Sequence, residues 1–499
     1  VSGSYLLGVD LGTGGTKAIL FDDKGTIIAE CSEDYPLYQP QNGWAEQDAD
    51  DWIRAGFNTI RSVLQKSGIN AGDIAGIGIS GQMHGLVMLD GEGKVIRRSL
   101  IWCDQRTVKE CEEITSRVGA KRLVDITANP ALTGFTASKI LWVRNNEPEV
   151  YKACRHILLP KDYLRYRLTG EFATEVSDAS GMQLLDIPQR RWSEEVLKAL
   201  DIDINLLAKV YESPEVSGYI SAEAASITGL KAGTPVVGGA GDNAAAAVGT
   251  GVVSDGKAFV TIGTSGVLFA HSDNIMIDPK GRVHTFCCAV PGAWHVMGVT
   301  QAAGLSYKWA KTNLYTGKSN KELDRLAEAV PLGANRLLFL PYLMGERTPH
   351  LDADCRGAFI GLSAMHGRDD MLRAVMEGVM YSQRDSLEIL KEMNIPVTEV
   401  YNCGGGAKSP FWRQMLCDVF ALPVKTVKCT EGPALGAAIL AAVGTGLYPT
   451  VAEGCKAMVN DDIYHKPDMA NHEKYGKYYS LYTELYPRLK DSYIRLAKL

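Results

Sequence analysis

A strand, a glycine-threonine turn and a second strand occur twice in this chain, and that repetition constrains the fold more than any other feature. At the start, Tyr5 to Asp10 and Lys17 to Asp22 flank Gly12-Thr13-Gly14-Gly15, and a third strand from Gly25 to Glu33 follows the turn Asp23-Lys24-Gly25. Much later, Lys257 to Ile262 and Val267 to Ala270 flank Gly263-Thr264-Ser265-Gly266. Each copy then runs into alternating helix and strand patterns. In the first, Ile53, Phe57, Ile60 and Leu64 recur at helical spacing behind an acidic start, Asp48 to Asp51, and an apolar strand spans Ile74 to Ser80. In the second, Leu372, Val375, Met376 and Val379 mark a helix, Glu399 to Asn402 a strand, and Gly404-Gly405-Gly406 a turn into a helix from Ser409 to Phe420. One design used twice predicts an α/β protein of two lobes around a central cleft. The change of lobe is expected near Gly249 to Ser254, which gives lobes over residues 4–248 and 254–447 and a tail over 448–499. Tyr478, Leu481, Leu485 and Leu489 space that tail as a terminal helix that docks on the second lobe or pairs two subunits in a homodimer.

Composition narrows the functions open to such a fold. With 499 residues, 46% hydrophobic and 22% charged, the chain can bury two or three cores. A net charge of −6 supplies no general attraction to nucleic acid or to anionic membranes. The longest uncharged stretch, Val283 to Tyr307, is interrupted by His284, Pro291, Gly292 and His295, so it reads as buried strands and turns rather than a bilayer span. Eleven cysteines without any C-x-x-C spacing read as reduced thiols of a cytoplasmic protein. The opening Val1-Ser2-Gly3-Ser4 looks like an appended leader and carries no export signal.

Two familiar nucleotide motifs are imitated and rejected. The run from Gly251 to Ala258 lacks the hydroxyl of a Walker loop and precedes a strand, not a helix. Gly76, Gly78 and Gly81 match G-x-G-x-x-G, but they lie inside a strand instead of after it. The stronger signal runs from Asp10 through Gly12, Thr13, Gly14, Gly15 and Thr16 to Lys17. Small residues there let backbone N–H groups approach phosphate, threonine adds a donor, and an acidic strand end can hold hydrated Mg²⁺. Its repetition at Gly263, Thr264 and Ser265 sets two phosphate-friendly turns on opposite sides of one cleft. Asp242, within Gly238-Gly239-Ala240-Gly241-Asp242-Asn243, is a lone carboxylate among residues without bulk, which suits a base that reaches a substrate hydroxyl. Gln82-Met83-His84 and Trp102-Cys103-Asp104 each follow an apolar run, where α/β folds place ligand contacts.

These residues resemble a known family. Asp10 to Thr16, Gly134 to Trp142, Gly263 to Gly266, Gly357 to Leu362 continuing to Glu377, Gly404 to Trp412 and Gly432 to Ala438 match the pattern of the FGGY carbohydrate kinases, in order, from about residue 5 to 445. Within the family, Gly81 to Gly85, Pro160 to Arg165, Leu168 to Ala173, Asp242 to Ala245 and Gly345 to His350 look most like the branch that acts on D-xylulose. The resemblance implies an actin-like, ribonuclease-H-like fold in both lobes, ATP and Mg²⁺ as partners, and phosphorylation of D-xylulose at O5. It implies that Asp242 is the base and that Asp10 holds the metal. Gly12, Thr13, Lys17, Gly263, Thr264 and Ser265 then surround the phosphates, and Gly404, Gly405 and Gly406 line the adenine pocket. Met83, His84, Trp102, Asp104 and Asn243 bind the sugar. A kinase of ribulose, L-xylulose, fuculose or a polyol, and a silent sugar-binding regulator on the same scaffold, stay open.

Overall fold

The computed structural model describes residues 4–499; Val1 to Gly3, most of the opening read as an appended leader, lie outside the described residues. Strands β1 (Tyr5–Leu11), β2 (Gly15–Phe21) and β3 (Ile27–Asp34) form an antiparallel meander, and helix α1 (Ala49–Ser67) carries the chain back to β4 (Ile74–Gly81), parallel to β1. Asp48 caps α1 by accepting from the Asp50 N–H at 3.0 Å, and Gly68 ends it in the left-handed region at φ 66°. Helices α2 (Thr136–Asn146) and α3 (Pro160–Thr169) precede β5 (Val216–Tyr219), β6 (Pro235–Val237) and the short β7 (Ala240–Gly241), which complete the sheet. Its order is β5-β6-β4-β1-β2-β3, with β7 also paired to β4. Along β1 the side chains alternate. Leu7, Val9 and Leu11 face α1 through Trp52, Phe57 and Ile60, while Leu6 lies in a separate apolar cluster on the other face. A strand apolar on both sides must be covered on both sides.

Helix α4 (Asp242–Thr250) leads into the second sheet. Its strands are β8 (Gly256–Ile262), β9 (Gly266–Ser272), β10 (His284–Cys287), β11 (Trp294–Thr300), β12 (Val397–Cys403), β13 (Val424–Val427) and β14 (Asp461–His465), in the order β10-β11-β9-β8-β12-β13-β14. Without β10, this repeats the first sheet strand for strand: an antiparallel meander, two parallel neighbours, and an antiparallel edge. The hairpin ends align too, so Asp10 and Lys17 of the first lobe correspond to Thr261 and Val267 of the second. Helices α5 (Ala303–Leu314), α6 (Arg368–Glu392) and α7 (Pro410–Phe420) surround the second sheet. The uncharged stretch from Val283 forms buried strands as expected, but from Ala303 it opens α5 instead of a turn, because an apolar run does not by itself distinguish strand from helix.

Helix α8 (Gly432–Gly444), late in the chain, leaves the second lobe and covers the open face of the first sheet, joining Leu6, Ile19 and Phe21 through Ala434, Leu435 and Ala438. The approach is so close that a Cβ on Gly78 would lie 1.9 Å from the Ala437 carbonyl oxygen, and one on Gly8 2.0 Å from that of Ala434. The imitation of a dinucleotide motif at Gly76 to Gly81 thus has a packing cause. Helix α4 lies between α8 and the second sheet, with Ala247 in one cluster with Phe259, Phe269 and Tyr401. The last helix, α9 (Met469–Leu496), inserts Tyr475, Tyr479 and Tyr482 into the second core, where the Tyr479 hydroxyl donates to Asp385 at 2.6 Å. No described helix is long and apolar enough to cross a membrane.

Candidate active site

The ends of β1 and β4 build the first wall of the cleft. Parallel register sets Asp10 beside Ser80, whose hydroxyl donates to Asp10 Oδ1 at 2.6 Å. Beyond it the chain reverses tightly, with the Gly12 N–H donating to the Gly15 carbonyl at 2.9 Å. Gln47 fastens this turn from below by donating to the Thr13 carbonyl at 2.6 Å, and Gln82 donates to Gln47 at 2.8 Å. The Thr13 hydroxyl accepts from the Trp102 indole N–H at 2.8 Å, so its own proton is left for a ligand. Trp102 is 47% exposed, an unusual place for an indole and a suitable platform for a sugar or its chain. Lys17 does not stand free: its Nζ is 2.9 Å from Glu431, the residue that precedes α8.

Asp242 opens α4 at the floor of the cleft. Burial pushes its carboxyl up to about 7, and the negative charge of Asp10 adds to that rise, against a hydrogen bond from the Asn243 N–H at 2.7 Å. Asp10 is likewise raised by burial, lowered by Ser80 and raised by Glu431. Three carboxylates therefore share one region, and the one cation among their named neighbours, Lys17, is already paired. Hard oxygen donors with surplus negative charge fit a hydrated divalent ion such as Mg²⁺.

His84 and Met83 follow β4. His84 holds φ 73°, a strained backbone for a non-glycine residue, and its Nδ1 bonds the Gly181 carbonyl at 2.9 Å. Burial, then the charge of Lys139, pushes its pKa down to about 3, so the ring is neutral, with the proton on Nδ1 and Nε2 left as an acceptor. The Met83 side chain packs against Gly181 and Gly241, the glycine just before Asp242. Asn243 shares the cavity wall with Asp242. Asp104 requires a correction. Its carboxylate is wholly buried and accepts from the Ala45 N–H at 2.7 Å, the Arg106 N–H at 3.0 Å and the Arg106 guanidinium at 2.7 Å, so no oxygen remains for a sugar. It shapes the Trp102 loop instead.

The second wall repeats the first. Gly263 N–H donates to the Ser265 carbonyl at 3.0 Å, and the start of α5 closes on this turn through the Gly304 N–H to the Gly263 carbonyl at 2.8 Å. A cavity of about 740 Å³ runs from Gly263 and Thr264 past Leu305 and Tyr307 to Gly405, Gly406 and Trp412. A second, of about 790 Å³, holds Asp242, Asn243, Thr261, Gly404, Gly405 and Glu431. The three-glycine loop thus forms a wall common to both, and Lys408, to which sequence reasoning gave no role, lines both as well. Arg347 was missed too. It has no ion-pair partner among the described residues, burial lowers its pKa, and its charge further depresses His84; the only signal was its place inside Gly345 to His350.

Comparison with known proteins is consistent across the chain. The N-terminal domain of the FGGY family of carbohydrate kinases matches residues 5–249, and the C-terminal domain of that family matches residues 258–445. A xylulose kinase of Lactococcus lactis is 42% identical over 494 residues, covering 98% of this chain and 97% of the relative. The structure of a ligand-bound xylulose kinase from Lactobacillus acidophilus superposes with a TM-score of 0.94 at 29% identity, covering 99% of this chain and 100% of that one. A gluconate kinase from the same organism gives 0.93 at 29% identity over 99% of this chain and 100% of its own. The fold is therefore common to kinases of different sugars.

Proposed function

The chain belongs to the FGGY family of carbohydrate kinases, and from that premise we propose that it transfers the γ-phosphoryl group of ATP to O5 of D-xylulose, giving D-xylulose 5-phosphate. The observation that carries the reading is Asp242: a half-buried carboxylate with a pKa near 7, on the wall of a cavity it shares with Asn243, Thr261, Gly404 and Glu431. Such a group accepts the proton of the attacking hydroxyl as the phosphoryl group leaves ADP, and in a loose transition state its position counts for more than its basicity. His84 Nε2 and Asn243 orient the sugar hydroxyls, and the Trp102 face covers the carbon chain. Gly12, Thr13, Gly263, Thr264 and Ser265 supply backbone and hydroxyl donors to the β- and γ-phosphates, with Gly404, Gly405 and Gly406 against the base. Asp10, steadied by Ser80, would hold Mg²⁺, which when bound offsets phosphate charge. Sugar contacts lie mainly on the first lobe and nucleotide contacts mainly on the second, so closure of the lobes around both substrates excludes water as a competing acceptor. Eleven free cysteines favour a reducing, cytoplasmic setting.

One observation favours a second reading. Arg347, which has no ion-pair partner among the described residues and whose guanidinium lies 3.5 Å from His284 Nε2, would suit a sugar acid, as in a gluconate kinase. Coupled measurement of ADP release with D-xylulose, D-ribulose, L-xylulose, glycerol and gluconate separates these. The proposal expects kcat/KM for D-xylulose to exceed the others by about tenfold or more. A preference for gluconate would replace the substrate, and no sugar-dependent ADP release would remove the kinase reading.

A further inference from the structure

The turn that delivers Asp242 is tied at both ends to a buried ionic cluster. On α3, Lys161 and Arg165 face Asp162, Glu175 and Asp178, and all five are at most 1% exposed. Lys161 Nζ lies 2.8 Å from Asp162, 3.2 Å from Glu175 and 2.9 Å from Asp178, and Arg165 Nη2 lies 2.8 Å from Asp162. Burying five ionisable groups is seldom the most stable way to fill such a space, since apolar side chains of the same volume do as well or better. What the cluster supplies instead is direction, visible in where its remaining hydrogen bonds go.

One reaches the turn Gly238-Gly239-Ala240-Gly241 directly and another reaches it through Ser177. Arg165 Nη1 donates to the Gly238 carbonyl at 2.8 Å. At the other end the Gly241 N–H donates to Ser177 Oγ at 3.1 Å, and that hydroxyl donates in turn to Glu175 at 2.9 Å. Glu175 has no slack. It also accepts from the Ser177 N–H at 2.7 Å, the Asp178 N–H at 2.9 Å and the Ser213 hydroxyl at 2.9 Å. With its proton committed to Glu175, the Ser177 oxygen must turn its lone pair toward Gly241. The turn cannot hold itself by side chains, because Gly239 has φ 78° and a Cβ there would lie 1.9 Å from the Ile79 carbonyl oxygen. Only its backbone can be gripped, and Arg165 and Ser177 grip it immediately before the residue that does the chemistry.

We propose that Ser177, oriented by Glu175, and Arg165 are positioning residues that clamp the turn from Gly238 to Gly241 and so aim the Asp242 carboxylate at the acceptor hydroxyl. The inference rests on the reading of Asp242 as the base. A misplacement of about 1 Å in such a group costs on the order of 10²-fold in rate, so loss of one clamp has a kinetic consequence larger than its effect on folding.

The test compares two serines that donate to the same carboxylate. Ser177→Ala removes a hydroxyl that touches the turn; Ser213→Ala removes one whose side chain bonds Glu175 alone. Both should lower Tm by similar, small amounts. Only Ser177→Ala should lower kcat, by about 10- to 100-fold, with KM for sugar and for ATP within about twofold of the parent, and Ser177→Thr, which keeps the hydroxyl, should recover much of it. Equal kcat in the two alanine variants overturns the clamp, as does a fall in kcat that the Thr variant does not relieve although it folds with the parental Tm. Asp242→Asn is assayed alongside. If that variant stays active, the reading of the base has failed; if it is inactive while Ser177→Ala matches Ser213→Ala, only the clamp has failed.

Discussion

Strand β4 of the first lobe and strand β12 of the second hold the same place in their sheets, yet they end in different chemistry. The first runs into Gln82, Met83 and His84, side chains suited to hydroxyls; the second runs into Gly404, Gly405 and Gly406, which offer bare backbone. The neighbouring hairpins differ in the same spirit. Asp10 and Lys17 in one lobe correspond to Thr261 and Val267 in the other. The sheet-facing positions diverge as well, since Gly8 and Gly78 of the first lobe correspond to Phe259 and Tyr401 of the second. A repeated backbone therefore fixes where the strand ends meet, and a handful of unlike residues decides which side is acidic, which is flat, and which admits a helix.

The largest break in this comparison comes from the residue with no counterpart opposite. Asp242→Ala should leave sugar binding, read by calorimetry, close to that of the parent while kcat falls about a thousandfold, within the 10²–10⁴ typical of a lost general base. Next, Asp10→Asn should cost about 10²-fold and raise the Mg²⁺ concentration needed for half-maximal rate, whereas Thr261→Val at the matching place in the second lobe should cost no more than about threefold. A thermal unfolding pair then probes the two sheet faces. Gly78→Ala, driven against the Ala437 carbonyl, should lose about 1–3 kcal/mol, and Tyr401→Phe, which gives up one hydroxyl bond to Asp461 at 3.2 Å, about 0.5–1.5 kcal/mol. A Gly78→Ala protein of parental stability would show that α8 does not lie where described.

The smallest effect is a shift along the pH axis. Asp242 is protonated below about 7 and cannot accept a proton there, so kcat/KM for the sugar should rise with pH through an acid limb near 7. Because the charge of Asp10 helps hold that proton on, the limb in the residual activity of Asp10→Asn should lie at lower pH than in the parent. Movement toward higher pH would mean that the two carboxylates do not sense each other.

Sequence reasoning reached the lobes, both turns and most strand ends because period-2 apolar runs bounded by glycine are local signals. Gly76, Gly78 and Gly81 were correctly read as lying in a strand, but the reason for the first two was not legible, since the helix that needs their bareness is encoded more than three hundred residues later, while Gly81 is bare against Lys161 and Leu11. Asp104 failed for a similar cause. A carboxylate after a strand looks available until Arg106 and the Ala45 backbone are seen to saturate it. Arg347 and Ser177 went unnoticed because their roles depend on partners in other segments, His84 in one case and Gly241 in the other.

The placement of α8 bears on how the polypeptide comes off the ribosome. The first sheet is translated within the opening half of the message, but the segment that roofs one of its faces, Gly432 to Gly444, emerges near the end. Through most of elongation the nascent chain therefore displays Leu6, Ile19 and Phe21 to solvent or to a chaperone, and a fragment cut before residue 432 would inherit that bare surface as a sticky, aggregating half-protein.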